Sequence, residues 1–235
     1  MASPFEKHAA DGMTEKTMAE NLGLSLVPRR VAEVLEADII FGRMGPESRV
    51  IEEDVAERFG VSRSPVRESL RLLERDGLVV RAERRGARVS PLSRRDLDEV
   101  YSCRVALEGI AAAEAAVRRK PADVTRLQNI LADLRRALQK SDIASYFEAN
   151  VAFTDTVHDA AGNMTLKRLL GAIGKQALRY RFLAYRSFPH LMAPSFDGNS
   201  EVVKAIRAQS GDVARATTEQ MIQESWTMIR SCVPE

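Results

Sequence analysis

The sequence predicts a mainly α-helical chain in two domains. A small N-terminal domain carries helices closed by a β-hairpin, and a larger all-helical bundle follows. Three observations carry this. The chain has 235 residues, long for one compact core, so two domains fit better. Aromatic residues are sparse at 6% while Ala, Leu and Arg abound, a mix that favours helices over sheets. Apolar residues recur at spacings of three and four along most of the chain, and only residues 78–90 read as strands.

Residues 1–26 mix Ala, Glu, Lys and Met without a sustained apolar face and are expected to form a flexible arm. From Val27, an inward stripe of Val31, Val34, Leu35 and Ile39 predicts the first helix, ended by Gly42, Gly45 and Pro46. A second helix is expected over residues 52–59, with Val55, Ala56 and Phe59 inward. Its acidic first turn suits the positive end of the helix dipole, and Gly60 stops it. The third helix starts almost at once, with Ser62 as N-cap and Pro65 in the first turn, where its missing N–H costs little. Residues 78–81 and 87–90 are expected strands joined by a turn of Arg84, Arg85 and Gly86. Helix, tight turn, helix and hairpin together make a winged helix-turn-helix over residues 27–92.

The remainder, 93–235, reads as an all-helical bundle. Periodic segments run over about 93–118, 121–140, 142–161 and 164–186. An irregular stretch with Pro189, Pro194 and Gly198 precedes two more, at about 199–209 and 212–231. Leu127, Leu131, Leu134 and Leu138 recur at four, three and four and are expected to pack inward. Short connections make consecutive helices antiparallel neighbours.

Composition narrows the function classes. Lys plus Arg number 35 against 33 acids, so the net charge of +2 excludes bulk stickiness for nucleic acid or membrane. Any nucleic-acid site must come from local clustering. Two cysteines and no Cys-x-x-Cys fit a reducing compartment. No run is long and apolar enough to span a bilayer, and no secretory signal is evident, so a cytoplasmic protein without a membrane partner is expected. Three histidines, no readable nucleophile–His–acid set and no glycine-rich phosphate loop argue against an enzyme.

Local clustering does occur. On the third helix, Val66, Leu70 and Leu73 make an apolar stripe, while Arg63, Arg67, Arg71 and Arg75 recur at four on another side. Residues 62–90 hold eight Arg and four acids, a local net of +4. That places positive charge where a recognition helix and wing meet double-stranded DNA. Arg63 and Arg67, near the helix N-terminus, suit base edges, since a guanidinium fork matches guanine O6 and N7. Ser62 and Ser64 suit phosphates. Arg71 extends the basic stripe, and Arg84, Arg85 and Gly86 suit a wing reaching phosphates or the minor groove. The competing reading is a solvated Arg-rich face paired with Glu68 and Glu74.

The run from Glu57 through Arg-Phe-Gly-Val-Ser-Arg-Ser-Pro-Val-Arg-Glu-Ser-Leu-Arg-Leu-Leu-Glu-Arg-Asp-Gly-Leu to Val79 resembles the signature of GntR-type transcriptional regulators. The resemblance covers about 28–92 and implies homodimers on short palindromic operators. Val100-Tyr-Ser-Cys-Arg-Val-Ala-Leu-Glu-Gly-Ile-Ala-Ala112 is similar to the opening of the FadR-like (FCD) ligand domain. Ala160-Ala-Gly-Asn163, Ala205-Ile206 and Gly211-Asp212 match later landmarks of that domain. This implies a helical bundle with a central effector cavity that also dimerises.

Many members of that subfamily hold a divalent metal with an Asp or Asn and three histidines. Carried over, those positions fall on Asn150, Thr154, Asn199 and Gln223, with Glu224 as a register alternative for the last. Every expected histidine is replaced, and Thr, Asn and Gln are poor ligands for zinc-like metals. No metal and no other cofactor is therefore expected, and Asn150, Thr154, Asn199 and Gln223 become candidates for contacting an effector directly. The resemblance also points Arg104, four before Glu108, into the cavity, where its fork suits an effector carboxylate. The alternative for Arg104 is a plain intrahelical pair with Glu108. Arg179, Tyr180, Arg181 and Tyr185 form a polar-aromatic cluster that lines the cavity, joins a dimer interface or is amphipathic surface. The expected function is a regulator, in sense a repressor, switched by a small carboxylate or acyl effector. The alternatives are an architectural DNA-binding dimer whose helical domain only dimerises and, least favoured, a helical enzyme with a DNA-binding module.

Overall fold

The computed structural model describes residues 26–81 and 86–233. Contacts divide the chain into two units, with the boundary between Leu92 and Ser93.

In the first unit, α1 (Val27–Ile40), α2 (Glu52–Phe59) and α3 (Arg63–Arg75) surround one apolar core. Leu35, Val66, Leu73, Leu78 and Val89 are almost wholly buried in it. The inward stripes sit where the helical period put them, except that Val34 and Ala56 are only partly buried. Asp38, buried near the end of α1, accepts from Arg43 at 2.5 Å and Arg58 at 2.6 Å, which ties α1 to α2. Such a buried carboxylate requires paired, hydrogen-bonded cations.

The sheet has three strands rather than the expected two. β1 (Arg49–Ile51), β2 (Val79–Arg81) and β3 (Gly86–Val89) lie in the order β1-β3-β2, antiparallel throughout. β1 escapes sequence reading because it has three residues and runs straight into α2, too short for an alternating pattern.

The second unit is helical: α4 (Arg94–Arg118), α5 (Pro121–Gln139), α6 (Ile143–Ala160), α7 (Met164–Ser187), a 3-10 turn (Pro189–Leu191), α8 (Met192–Arg207) and α9 (Gly211–Cys232). Side chains cap three of these. Ser93 accepts from the Asp96 N–H, Asp142 from that of Ser145 and Asn163 from that of Leu166. α4 runs along α9 and also meets α6, α7 and α8. Its fully buried Ala111, Ala112, Ala115 and Ala116 let neighbours approach closely.

Two expectations shift. α8 begins at Met192, so Pro194 and Gly198 lie inside it. Pro194 falls in the first turn, where no intrahelical N–H is lost. Gly198 is where Met221 of α9 crosses: a Cβ there would stand 2.6 Å from its sulfur. The stripe of α5 is centred on Leu127, Ile130, Leu134 and Ala137, leaving Leu131 and Leu138 at its edge.

Candidate DNA-contacting surface and effector cavity

α2, Gly60, Val61 and α3 form the helix-turn-helix, with Val66, Leu70 and Leu73 anchoring α3 in the core. That anchoring turns the opposite side outward. Ser62, Arg63, Ser64, Arg67 and Arg71 are all exposed. Ser62 occupies the N-cap position but makes no side-chain capping bond. Its hydroxyl is thus not committed to the helix.

The arginines are not bare. Arg63 Nη1 lies 2.9 Å from Glu53 Oε1, and Arg67 Nε donates to Glu52 Oε2 at 2.8 Å. Arg71 pairs with Glu68 within α3, and Arg81 Nε lies 3.3 Å from Glu74 Oε2. The basic face and the acid-paired face are therefore the same surface. Glu52 is buried and holds the exposed Arg67 by its Nε, a bond that does not use the Nη groups.

Gly86 opens β3 rather than lying in the expected turn. It pairs with Ile51 across the sheet at φ +141°, and a Cβ would stand 2.5 Å from the Val50 carbonyl oxygen. Close backbone approach, not wing mobility, demands glycine here. Arg84 and Arg85 lie outside the described residues.

In the second unit, a cavity of about 80 Å³ opens between α4, α6, α7, α8 and α9. Arg104, Asn150, Thr154 and Asn199 line it; Gln223 does not. Gln223 instead faces outward beside Asp98, Trp226 and Arg230. The reason is rotation: one residue along a helix turns about 100°. Glu224, in step with Met221 and Met228, lines the cavity instead.

Arg181 and Tyr185 of α7 and Ser195 of α8 also line it. Arg181 Nη2 donates to Asn150 Oδ1, Asn150 Nδ2 donates to Ser195 Oγ at 3.0 Å, and the Tyr185 and Ser195 hydroxyls are 2.8 Å apart. Thr154 Oγ1 donates to the Asn150 carbonyl within α6. Arg179 and Tyr180, the rest of the α7 cluster, do not line the cavity. Tyr180 donates to Asp96 at 2.6 Å, and burial together with that carboxylate pushes its phenol upward. Sequence spacing finds the α7 cluster but not its partners, because Arg181 and Asn150 are 31 residues apart.

Arg104 is neutralised in place. Its Nη2 and Nε lie 2.7 and 2.8 Å from Glu108 Oε1, and its guanidinium stacks 4.8 Å from the Tyr101 ring centre. Burial works against ionised Glu108, but Arg104 first, then His158 and Arg181, outweigh it and hold the carboxyl far below the usual range. His158 Nε2 stands 3.9 Å from Glu108 Oε2.

The donor set does not fit a divalent metal. A guanidinium already occupies the Asn150 oxygen that a metal would need, and the Thr154 hydroxyl is spent on its own helix. Among the described residues no group of three or more His, Cys, Asp or Glu is placed to hold one.

Comparisons with known proteins fit this geometry. The family described as bacterial regulatory proteins, gntR family, matches residues 28–89, and the FCD domain matches 99–224, more than half of the chain. The uncharacterized HTH-type transcriptional regulator YdhC of Bacillus subtilis (strain 168) is 32% identical over 64% of this chain and 68% of its own. The HTH-type transcriptional repressor RspR of Escherichia coli (strain K12) is 27% identical over 87% of this chain and 90% of its own. The solved structure of E. coli McbR/YncC shares the fold at a TM-score of 0.79 and 22% identity, covering 88% of this chain and 98% of that one. The chain belongs to the GntR family of bacterial regulatory proteins, in its FCD-domain branch, and is a DNA-binding transcriptional regulator rather than an enzyme.

Proposed function

We propose that the chain is a repressor that binds a short palindromic operator as a homodimer, and that a small carboxylate-type metabolite in the helical unit changes its DNA affinity. The carrying observation is the cavity. Buried guanidinium, amide and hydroxyl groups face one small space in a unit joined to a winged helix-turn-helix. A helical domain used only for dimerising has no need to bury them, since buried polar groups cost stability.

On the DNA side, Arg63 and Arg67 read base edges while Ser62, Ser64 and Arg71 hold phosphates, with Arg84 and Arg85 in the wing. Glu52 acts as a positioning residue, keeping the outer face of Arg67 turned to the groove. Two chains related by a twofold axis place two α3 helices in successive major grooves, hence the palindrome.

Selection of bound duplexes from a random pool, followed by stoichiometry on the best site, tests this. The expected result is an inverted repeat carrying two chains. A single asymmetric site with one chain contradicts it.

A further inference from the structure

We infer that the cavity takes a small monocarboxylate with an apolar body, its carboxylate received by Arg181 and Asn199, with no metal between acid and protein. The inference rests on the reading above, that this cavity is the effector site.

Two buried guanidiniums border the cavity, and they are not equivalent. Arg104 has Glu108. Arg181 is 9% exposed, donates only to the neutral oxygen of Asn150, and has no carboxylate within ion-pair distance among the described residues. Arg181 acts on the Glu108 and Asp155 carboxylates only at longer range, and a buried cation whose one hydrogen-bond partner is neutral is better satisfied by a directly bound anion. The second observation is independent. Asn199 is 2% exposed, and its Nδ2 has no hydrogen-bond partner; neither has Thr218 Oγ1. Both residues line the cavity. Buried donors without acceptors are destabilising, so two in one cavity mark where an acceptor belongs. The Tyr185 and Ser195 hydroxyls share one hydrogen bond, which leaves one of their two O–H groups free to donate.

Charge and shape choose among anions. Arg104 and Arg181 line the cavity with the carboxylates of Glu108 and the exposed Glu224; once Arg104 is paired with Glu108, Arg181 is the one lining guanidinium without an ion-paired carboxylate. A monoanion balances this. A dianion such as a phosphate monoester brings a second charge with no partner and meets Glu224. Most of the remaining wall is apolar, including Val202, Met221, Ile222, Met228 and Ile229, with Thr154 and Ser225 among it. It suits a hydrocarbon body rather than a polyol.

The test uses the full chain dialysed against EDTA, titrated calorimetrically with butanoate, hexanoate, benzoate, hexanamide and succinate. At least one monocarboxylate is expected to bind, unchanged by EDTA or added zinc, with its amide or the dianion at least on the order of 10-fold weaker. Arg181→Gln and Asn199→Asp are each expected to weaken binding by about 10- to 100-fold, with Arg181→Lys intermediate. Asn199→Asp is nearly isosteric and carries the test should Arg181→Gln fail to fold, as judged by circular dichroism. No binding by any monocarboxylate, equal binding of the amide, loss of binding in EDTA, or indifference to both substitutions overturns the inference. A neutral metabolite that shifts DNA affinity regardless of Arg181 overturns it too, and leaves the regulator reading standing. Absence of specific DNA binding by the unliganded chain contradicts the proposed repressor function and leaves the acid titration interpretable.

Discussion

Glu108 is fully ionised at neutral pH only because of what surrounds it. Burial alone would raise its pKa; Arg104, His158 and Arg181 reverse that and depress it. A carboxyl whose folded pKa is depressed stabilises the fold above its unfolded pKa of about 4.3 and loses that contribution as pH falls toward the folded value. Glu108→Gln is therefore expected to destabilise at pH 7 by about 3–5 kcal/mol, because Arg104 is left buried without its counter-ion. The gap between wild type and variant should close progressively below about pH 4, read by urea unfolding across pH. A gap independent of pH contradicts this. At this scale the sequence was half legible. The i,i+4 spacing exposed Arg104 and Glu108 as a pair. It could not show that Arg181, not Arg104, lacks a carboxylate, since that depends on Asn150 in another helix.

At the scale of elements, α2 and α3 work as one unit. The acidic first turn of α2 was legible as a dipole feature, but Glu52 and Glu53 also reach across to Arg67 and Arg63 of α3. Fifteen residues separate Glu52 from Arg67, so no helical periodicity reports the pair. Two substitutions should separate reading from holding. Arg67→Ala is expected to cost about 1–3 kcal/mol of specific affinity and to relax preference at one base position. Glu52→Gln, which keeps Arg67 but frees it, should lower discrimination at that same position with little change in non-specific affinity. Fluorescence anisotropy on operator variants distinguishes them; equal discrimination by wild type and Glu52→Gln contradicts the positioning role. Breaker residues were the weaker signals: Pro194 and Gly198 suggest an irregular stretch, yet one sits in a first turn and the other under Met221.

The whole molecule joins a DNA-reading unit to a helical unit with a cavity, and the order of its helices and of the hairpin, though not β1, was legible from period and punctuation. The pairing of α4 with the last helix, α9, was not, because it connects opposite ends of the second unit. The cavity exists because of that pairing: α4 supplies Arg104 and α9 supplies Thr218, Met221 and Ile222 to one space. A regulator needs its effector to bind DNA-competent and DNA-incompetent states with different affinity, a coupling of about 1–3 kcal/mol. The most direct measurement is operator affinity of the full chain with and without a saturating amount of the tightest-binding monocarboxylate, repeated in Arg181→Gln at the same acid concentration. The account predicts a shift of about 5- to 150-fold in wild type and its loss in the variant. Equal operator affinity with and without bound acid contradicts it.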